Sequence, residues 1–442
     1  MTAEIAIMNR YGIALAADSA VSIGDPDQPK IYNTINKLFS LSKRAPVGSM
    51  FYGTVLLTGV PWETVIKSFR QELGSKAFDT LIEYADALIE YIENTLALFS
   101  PEQEESEFRV HCIELYVSLW NQIEHRLHNL FEESGEVTPD EILAIVTAVF
   151  ETELDELQSL ERLEELPEGY GASLISKFAD VVEMIRHHVF EDLPLDEIAV
   201  SSLNELTAVF IERPPISMES RAGLVVAGFG EKEFAPVLVD FEIYGVMDGR
   251  LRRRRRSSHE VADDNRAIVV PFAQREMVDL FMSGIDPSLQ LVVDDALSTL
   301  IDALPDLVAD AIPSITDESQ ESLRSGGSEL LHVYRSDIQR QIQQDYVRPI
   351  LGAVAALPKE ELATMAETLV NLTSFKRRVT LDAETVGGAI DVAVISKGDG
   401  LIWIERKHYF DPTLNHHFFA NYFHYDSSTQ EDDDDSRPFA AG

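Results

Sequence analysis

The chain opens Met1-Thr2, and a threonine directly behind an initiator methionine can carry two reactive groups on one residue. If Met1 is removed, as a small second residue permits, Thr2 presents a secondary hydroxyl and a free α-amine. That amine, with an ordinary pKa of about 7.7–8.0, is poised close enough to neutrality to take the proton from its own hydroxyl. Nucleophile and base then belong to the same residue. A nearby ammonium would stabilise the alkoxide, and a carboxylate would hold the ammonium in place. Asp18 ends the run "GIALAAD" and Lys37 begins the run "KLFSLS". If these runs are strands paired in order, both side chains face the first residue.

The elements that must position them read as follows. Residues 4 to 60 are strand-like: "EIAIM" and "GIALAAD" flank a turn at Asn9 to Gly12, "KLFSLS" follows a loop rich in Asp, Pro and Gly, and "SMFYGTVLLTG" closes the set. From Trp62 the apolar spacing changes to three and four, and helical, acidic patterns continue to about Leu206. Strands return at "SRAGLVVAGFGEKEFAPVLVDFEIYGVMDGRLRRRRR", where two runs are joined by a turn at Gly230 to Glu233, and a helix is expected from about Gln274. A second helical stretch runs from Pro287 to Phe375, and "AIDVAVISKGDGLIWIERK" is a final hairpin turning at Lys397 to Gly400. Strands, helices, strands, helices, strands predict an α+β protein: two packed sheets between helical layers, a four-layer αββα sandwich with helices inserted at the connections.

The segments "GIALAADS", "KLFSL" and "TVLLTG" resemble the opening of proteasome β-type subunits and of the bacterial HslV peptidase, members of the N-terminal nucleophile hydrolases. "AGLVVAGFGEKEFAPVLVD" and "DAETVGGAIDVAVISKGDGLIWI" are similar to later motifs of that family. The resemblance implies Thr2 as nucleophile, Asp18 and Lys37 as its activating pair, and Gly59 as an oxyanion-hole amide. It implies Ser19, Asp382, Thr385 and Gly387 as groups that orient the amine, with "DAETVGG" one residue longer than the family pattern. The core would comprise residues 1–95, 216–286 and 376–410, with helical insertions at 96–215 and 287–375 and a C-terminal segment with an acidic tail at 411–442. A threonine-type peptidase or amidohydrolase follows from it, acting on peptide or protein without a cofactor. So do a homo-oligomer, in the form of a ring, and an ATP-dependent unfoldase as partner. The open alternative is an inert scaffold or protein-binding module of the same shape.

Composition narrows the partners. With 36 Lys and Arg against 76 Asp and Glu, the formal net charge of -40 repels nucleic acid and anionic membrane, and neither is expected. Cys112 is the single cysteine, so no disulfide framework and no multi-cysteine metal site is possible; its setting is a helical apolar stripe, which reads as a buried thiol. With no signal segment and no long apolar run, the expected compartment is the cytoplasm. The run of arginines from Arg250 to Arg256 reads as the end of a strand whose charges meet the protein's own acids or a subunit interface. His408, His416, His417 and His424 with Asp411 fit no metal spacing, and a packed C-terminal strip is expected there.

Overall fold

The structure, a computed structural model, describes residues 3–23, 30–95, 98–191, 193–218, 220–312, 314–380 and 386–417. It is mixed α/β, 54% helical and 20% strand, with antiparallel sheets. β1 (Ala3–Asn9) and β2 (Gly12–Ala17) form a hairpin in which Glu4 lies opposite Ala17 and Asn9 opposite Gly12. β3 (Val21–Ile23) pairs with β4 (Lys30–Tyr32), β5 (Leu38–Ser40) with β6 (Val47–Gly53), and β7 (Leu56–Leu57) with β8 (Val60–Pro61). Then follow helices α1 (Trp62–Leu73), α2 (Leu81–Asn94), α3 (Pro101–Ser134), α4 (Pro139–Ser159), α5 (Tyr170–Lys177), α6 (Ala179–Val189) and α7 (Glu197–Glu212). Strands β9 (Ala222–Gly228), β10 (Val237–Met247), β11 (Arg250–Glu260) and β12 (Ala267–Ala273) come next. α8 (Glu276–Ser283), α9 (Pro287–Ala311), α10 (Asp317–Ile342), α11 (Arg348–Val354) and α12 (Lys359–Val379) lead to β13 (Asp391–Ser396) and β14 (Gly400–Glu405).

The helix starts are written in the sequence. Thr80, Ser100 and Thr138 cap α2, α3 and α4 with reciprocal bonds to Glu83, Gln103 and Glu141, and proline occupies the first position of α3 and α4, where its missing N–H is no loss.

Two five-stranded sheets carry the core, in the orders β12-β1-β2-β13-β14 and β11-β10-β9-β6-β5. Every residue of β1 and β2 is buried, and the period of two sorts them. Ala6, Met8, Ile13 and Leu15 meet Met50, Val225 and Leu238 of the other sheet, while Ile5, Ile7 and Ala14 pack on Leu362, Ala366 and Leu369 of α12. The outer face of the second sheet is covered by α1 and α2, with Trp62 and Leu88 fully buried against Phe51 and Phe241. Helices α3 to α7 share a core of their own, which reaches the sheets through Tyr244 and Met247 of β10. Cys112 is buried there, and burial pushes its thiol up to about 12. α9 and α10 form an antiparallel hairpin in which α10 has no buried residue.

Two expectations need correcting. The arginines are not the end of a strand but the first part of one, β11, the edge of the second sheet. They can occupy a strand because their charges are met locally. Arg253 pairs with Glu164 and Glu165, Arg254 with Glu242, and Arg252, fully buried, donates to the carbonyls of Ile211 and Tyr244 and to Nδ1 of His111. The C-terminal histidine segment is not packed over the part described: His416 and His417 are exposed. His424 lies outside the described residues.

Candidate active site

The hairpin register that sets Glu4 opposite Ala17 carries one step further, and there Ala3 meets Asp18. Asp18 N donates to Ala3 O at 3.1 Å and Ala3 N to Asp18 Oδ1 at 3.1 Å. Lys37, just ahead of β5, sends its ammonium to the same Oδ1 at 2.6 Å, and both side chains are wholly shielded from solvent. Asp18 Oδ2 accepts from Ala20 N at 3.1 Å and Gly387 N at 3.0 Å. Four donors fix the carboxylate, and the carboxylate fixes the ammonium. An isolated buried charge would be expensive; a paired one with its remaining lone pairs satisfied is tolerated. Thr2, the residue that covalently precedes Ala3, lies outside the described residues.

Ser19 and Gly387 are joined to this cluster. Ser19 N donates to Gly387 O at 3.1 Å, and Ser19 Oγ donates to Ala389 O. Gly388, at φ +80°, packs so closely that a Cβ would lie 3.1 Å from Ser19 Cβ and 2.9 Å from Asn33 Cβ, so its lack of a side chain is what lets the segment approach. Asp382 and Thr385 lie outside the described residues. Gly59 lies in the turn between β7 and β8, where the nearest group to a Cβ would be the Gln103 side chain of α3. None of the hydrogen bonds that converge on Asp18 involves it.

The sequence reading missed a second layer of polar groups. Glu4 is buried between the sheets, and neither carboxyl oxygen has a hydrogen-bond partner among the described residues. Burial drives its pKa well above the usual carboxylate range; Lys37 opposes this, and Asp18 and Asp240 add to it. On β10, Asp240 accepts from Tyr52 Oη at 3.1 Å and faces Arg256 at 3.8 Å. Burial outweighs Arg256 there and pushes the carboxyl up to about 7. Tyr52 lies flat over Gly223, where a Cβ would sit 1.9 Å from Cζ of the ring, and stacks on Phe272 with centroids 5.6 Å apart. The polar residues on inward-facing positions were the available signal: Glu4 in β1 and Asp240 in β10 interrupt largely apolar strands.

A cavity of about 510 Å³ lies away from these groups, lined among others by Arg44, Lys76, Tyr84 and Lys397, and holds none of the residues expected to do chemistry. Among the described residues no cluster of His, Cys, Asp and Glu could hold a metal ion, and no helix is long and apolar enough to cross a membrane.

Comparison with known proteins corrects the family expected from the sequence. No protein-family model matches the chain, and no curated protein matches its sequence. A solved structure that it matches is the Anbu (Gly-1) mutant from Hyphomicrobium sp. strain MC1, with a TM-score of 0.27 and 11% identity over 100% of each chain. Membership in the proteasome β-subunit and HslV family does not stand on these findings: the motifs that suggested it are short, and no match to that family accompanies them.

Proposed function

We propose that the protein is an N-terminal threonine hydrolase that cleaves peptide or amide bonds. One observation carries the reading: a wholly buried Lys37–Asp18 pair whose carboxylate also takes the amide of Ala3, the residue next to Thr2. The helix–sheet–sheet–helix order of the packed clusters supports reading the fold as a four-layer αββα sandwich with its catalytic end at this hairpin edge.

The chemistry balances on one residue. After loss of Met1, the Thr2 hydroxyl adds to the scissile carbonyl while its proton passes to the α-amine. The Lys37 ammonium, desolvated and held by Asp18, favours the neutral amine and the developing alkoxide. The amine returns the proton to the leaving nitrogen, an acyl-Thr ester remains, and water, deprotonated by the same amine, releases the acid. Neither a metal nor a redox group takes part in these steps.

An intact-mass spectrum after incubation with a peptide epoxyketone, which needs both the hydroxyl and the free amine of an N-terminal threonine, tests this. The expected result is a chain lacking Met1 with one adduct on Thr2, and no adduct on a Lys37→Met variant that still folds. Retained Met1, or a processed chain that stays unlabelled, refutes the enzyme and leaves the scaffold.

A further inference from the structure

Glu4 occupies the middle of a buried polar layer and is joined to none of it. In β1 it lies opposite Ala17, the residue before Asp18, on one side and opposite Phe272 on the other. Phe272 stacks on Tyr52, whose hydroxyl donates to Asp240, and Arg256 stands 3.8 Å from that carboxylate. The Glu4 carboxyl is thereby placed between the Asp18–Lys37 pair and the Asp240–Tyr52–Arg256 group. Lys37, Asp18 and Asp240 are the charges that act on it. Neither of its oxygens has a hydrogen-bond partner among the described residues, and the residue is 2% exposed. An acid buried without a donor, with two carboxylates near it and the one ammonium already engaged at 2.6 Å, keeps its proton.

We propose that Glu4 is a positioning residue for the reaction at Thr2: as a neutral acid it leaves Asp18 the sole carboxylate on Lys37, and as a carboxylate it shuts the reaction down. The inference rests on the reading of Thr2 as nucleophile. Lys37 acts in that reaction through its charge, so the number of carboxylates that share the ammonium decides how much of the charge reaches Thr2. With Asp18 alone the pair is one to one. A second carboxylate from Glu4 would make the group net negative, inside a layer where charges are screened less than in water. That charge would favour the ammonium form of the Thr2 amine and oppose the developing alkoxide. The neutral acid does neither, which gives a reason for a carboxyl at a position where an apolar side chain would pack at less cost.

The rate of adduct formation with a peptide epoxyketone, read by intact mass on the full chain from about pH 6 to pH 10, tests this. In wild type the rate should fall by about tenfold per pH unit on the alkaline side, as Glu4 ionises. Glu4→Gln has no proton to lose there, so its alkaline limb should vanish or move to higher pH. In Asp240→Asn a carboxylate that opposes ionisation of Glu4 is gone, and the limb should move to lower pH. A packing role for Glu4 would change the rate alike at every pH; opposite shifts in the two variants read its charge. A labelled wild type without an alkaline limb, or a limb that either variant leaves in place, overturns this inference and spares the reading of Thr2. A wild type that takes no adduct at any pH overturns both. Should Glu4→Gln fail to fold, Asp240→Asn decides: a limb moved to lower pH supports the role of Glu4, and an unmoved one refutes it.

Discussion

Replacing Glu4 by Gln is expected to make the protein's stability less dependent on pH, and the sign follows from where the carboxyl sits. Folding removes Glu4 from water and gives its oxygens no donor among the described residues, so the native state holds the acid protonated well above its ordinary range. The unfolded chain releases that proton at the ordinary carboxylate pKa. In acid both states are protonated and the group adds no slope. Once pH rises above the unfolded pKa, the unfolded chain ionises while the native chain keeps its proton. The native state then binds more protons than the unfolded one, and stability falls by about 1.4 kcal/mol for each pH unit until the native carboxyl ionises as well. Glutamine has nearly the same shape and no proton to lose. Urea unfolding at several values between pH 4 and pH 7, followed through the buried Trp62, should therefore show Glu4→Gln gaining on wild type as pH rises. A gap that stays constant over that range would mean that Glu4 is ionised in the native state, and the account of the buried layer would be wrong.

Three other perturbations probe the same region and its surroundings. Lys37→Met leaves the Asp18 carboxylate buried without its counter-charge and should cost roughly 3–5 kcal/mol in unfolding free energy, most of it recovered in Lys37→Met/Asp18→Asn; if the double variant is as unstable as the single one, the loss is not electrostatic. Gly223→Ala puts a Cβ inside the Tyr52 ring and should destabilise by about 1–3 kcal/mol or more in thermal melts, with Tyr52→Leu in the same chain relieving it. Cys112, buried and with its thiol pushed up to about 12, should react with a thiol reagent at neutral pH only after denaturant unfolds the α3–α7 core, as the absorbance of the released product will show.

The parts of this fold that were legible in the sequence are those fixed by neighbours along the chain. Two alternating runs around Asn9 to Gly12 set the register of the first hairpin, and that register alone brings residue 3 beside Asp18. The Gly230 to Glu233 and Lys397 to Gly400 turns were legible for the same reason. Helices α2 to α4 could be placed from their capping residues and apolar spacing. What could not be read depends on partners far away in sequence. The arginine run reads as a strand end that meets acids, but which acids cannot be read, because Glu164, Glu165 and Glu242 come from other elements. Glu4 reads as an ordinary polar residue until β10 brings Asp240 into the same layer. The family suggested by short motifs fared worst, because a handful of glycines and a strand-end Asp-Ser occur wherever tight hairpins approach one another.

The choice between a catalyst and an inert scaffold turns on where the molecule tolerates unfavourable arrangements. At one end of β1 the structure gathers a buried ion pair, an acid with no hydrogen-bond partner among the described residues, and a backbone outlier: Ala273, opposite Ala3 in the register, has φ +56°, a conformation that disfavours any residue with a Cβ. Each costs free energy relative to an apolar filling of the same space, since a buried pair seldom stabilises more than well-packed aliphatic groups and an unpaired polar group costs about 1–3 kcal/mol. A surface that only had to bind a partner would gain nothing from the ion pair and the unpaired acid, for both lie inside the fold. A nucleophile next to Ala3 would gain directly: the ammonium lowers the energy of an alkoxide, the surrounding apolar layer strengthens that interaction, and the strained backbone holds the first residues of β1 in one position. Because these costs lie beside Ala3, the residue that follows the proposed nucleophile Thr2, they favour the proposed catalyst over the scaffold, and the Thr2 adduct is the observation on which that proposal stands or falls.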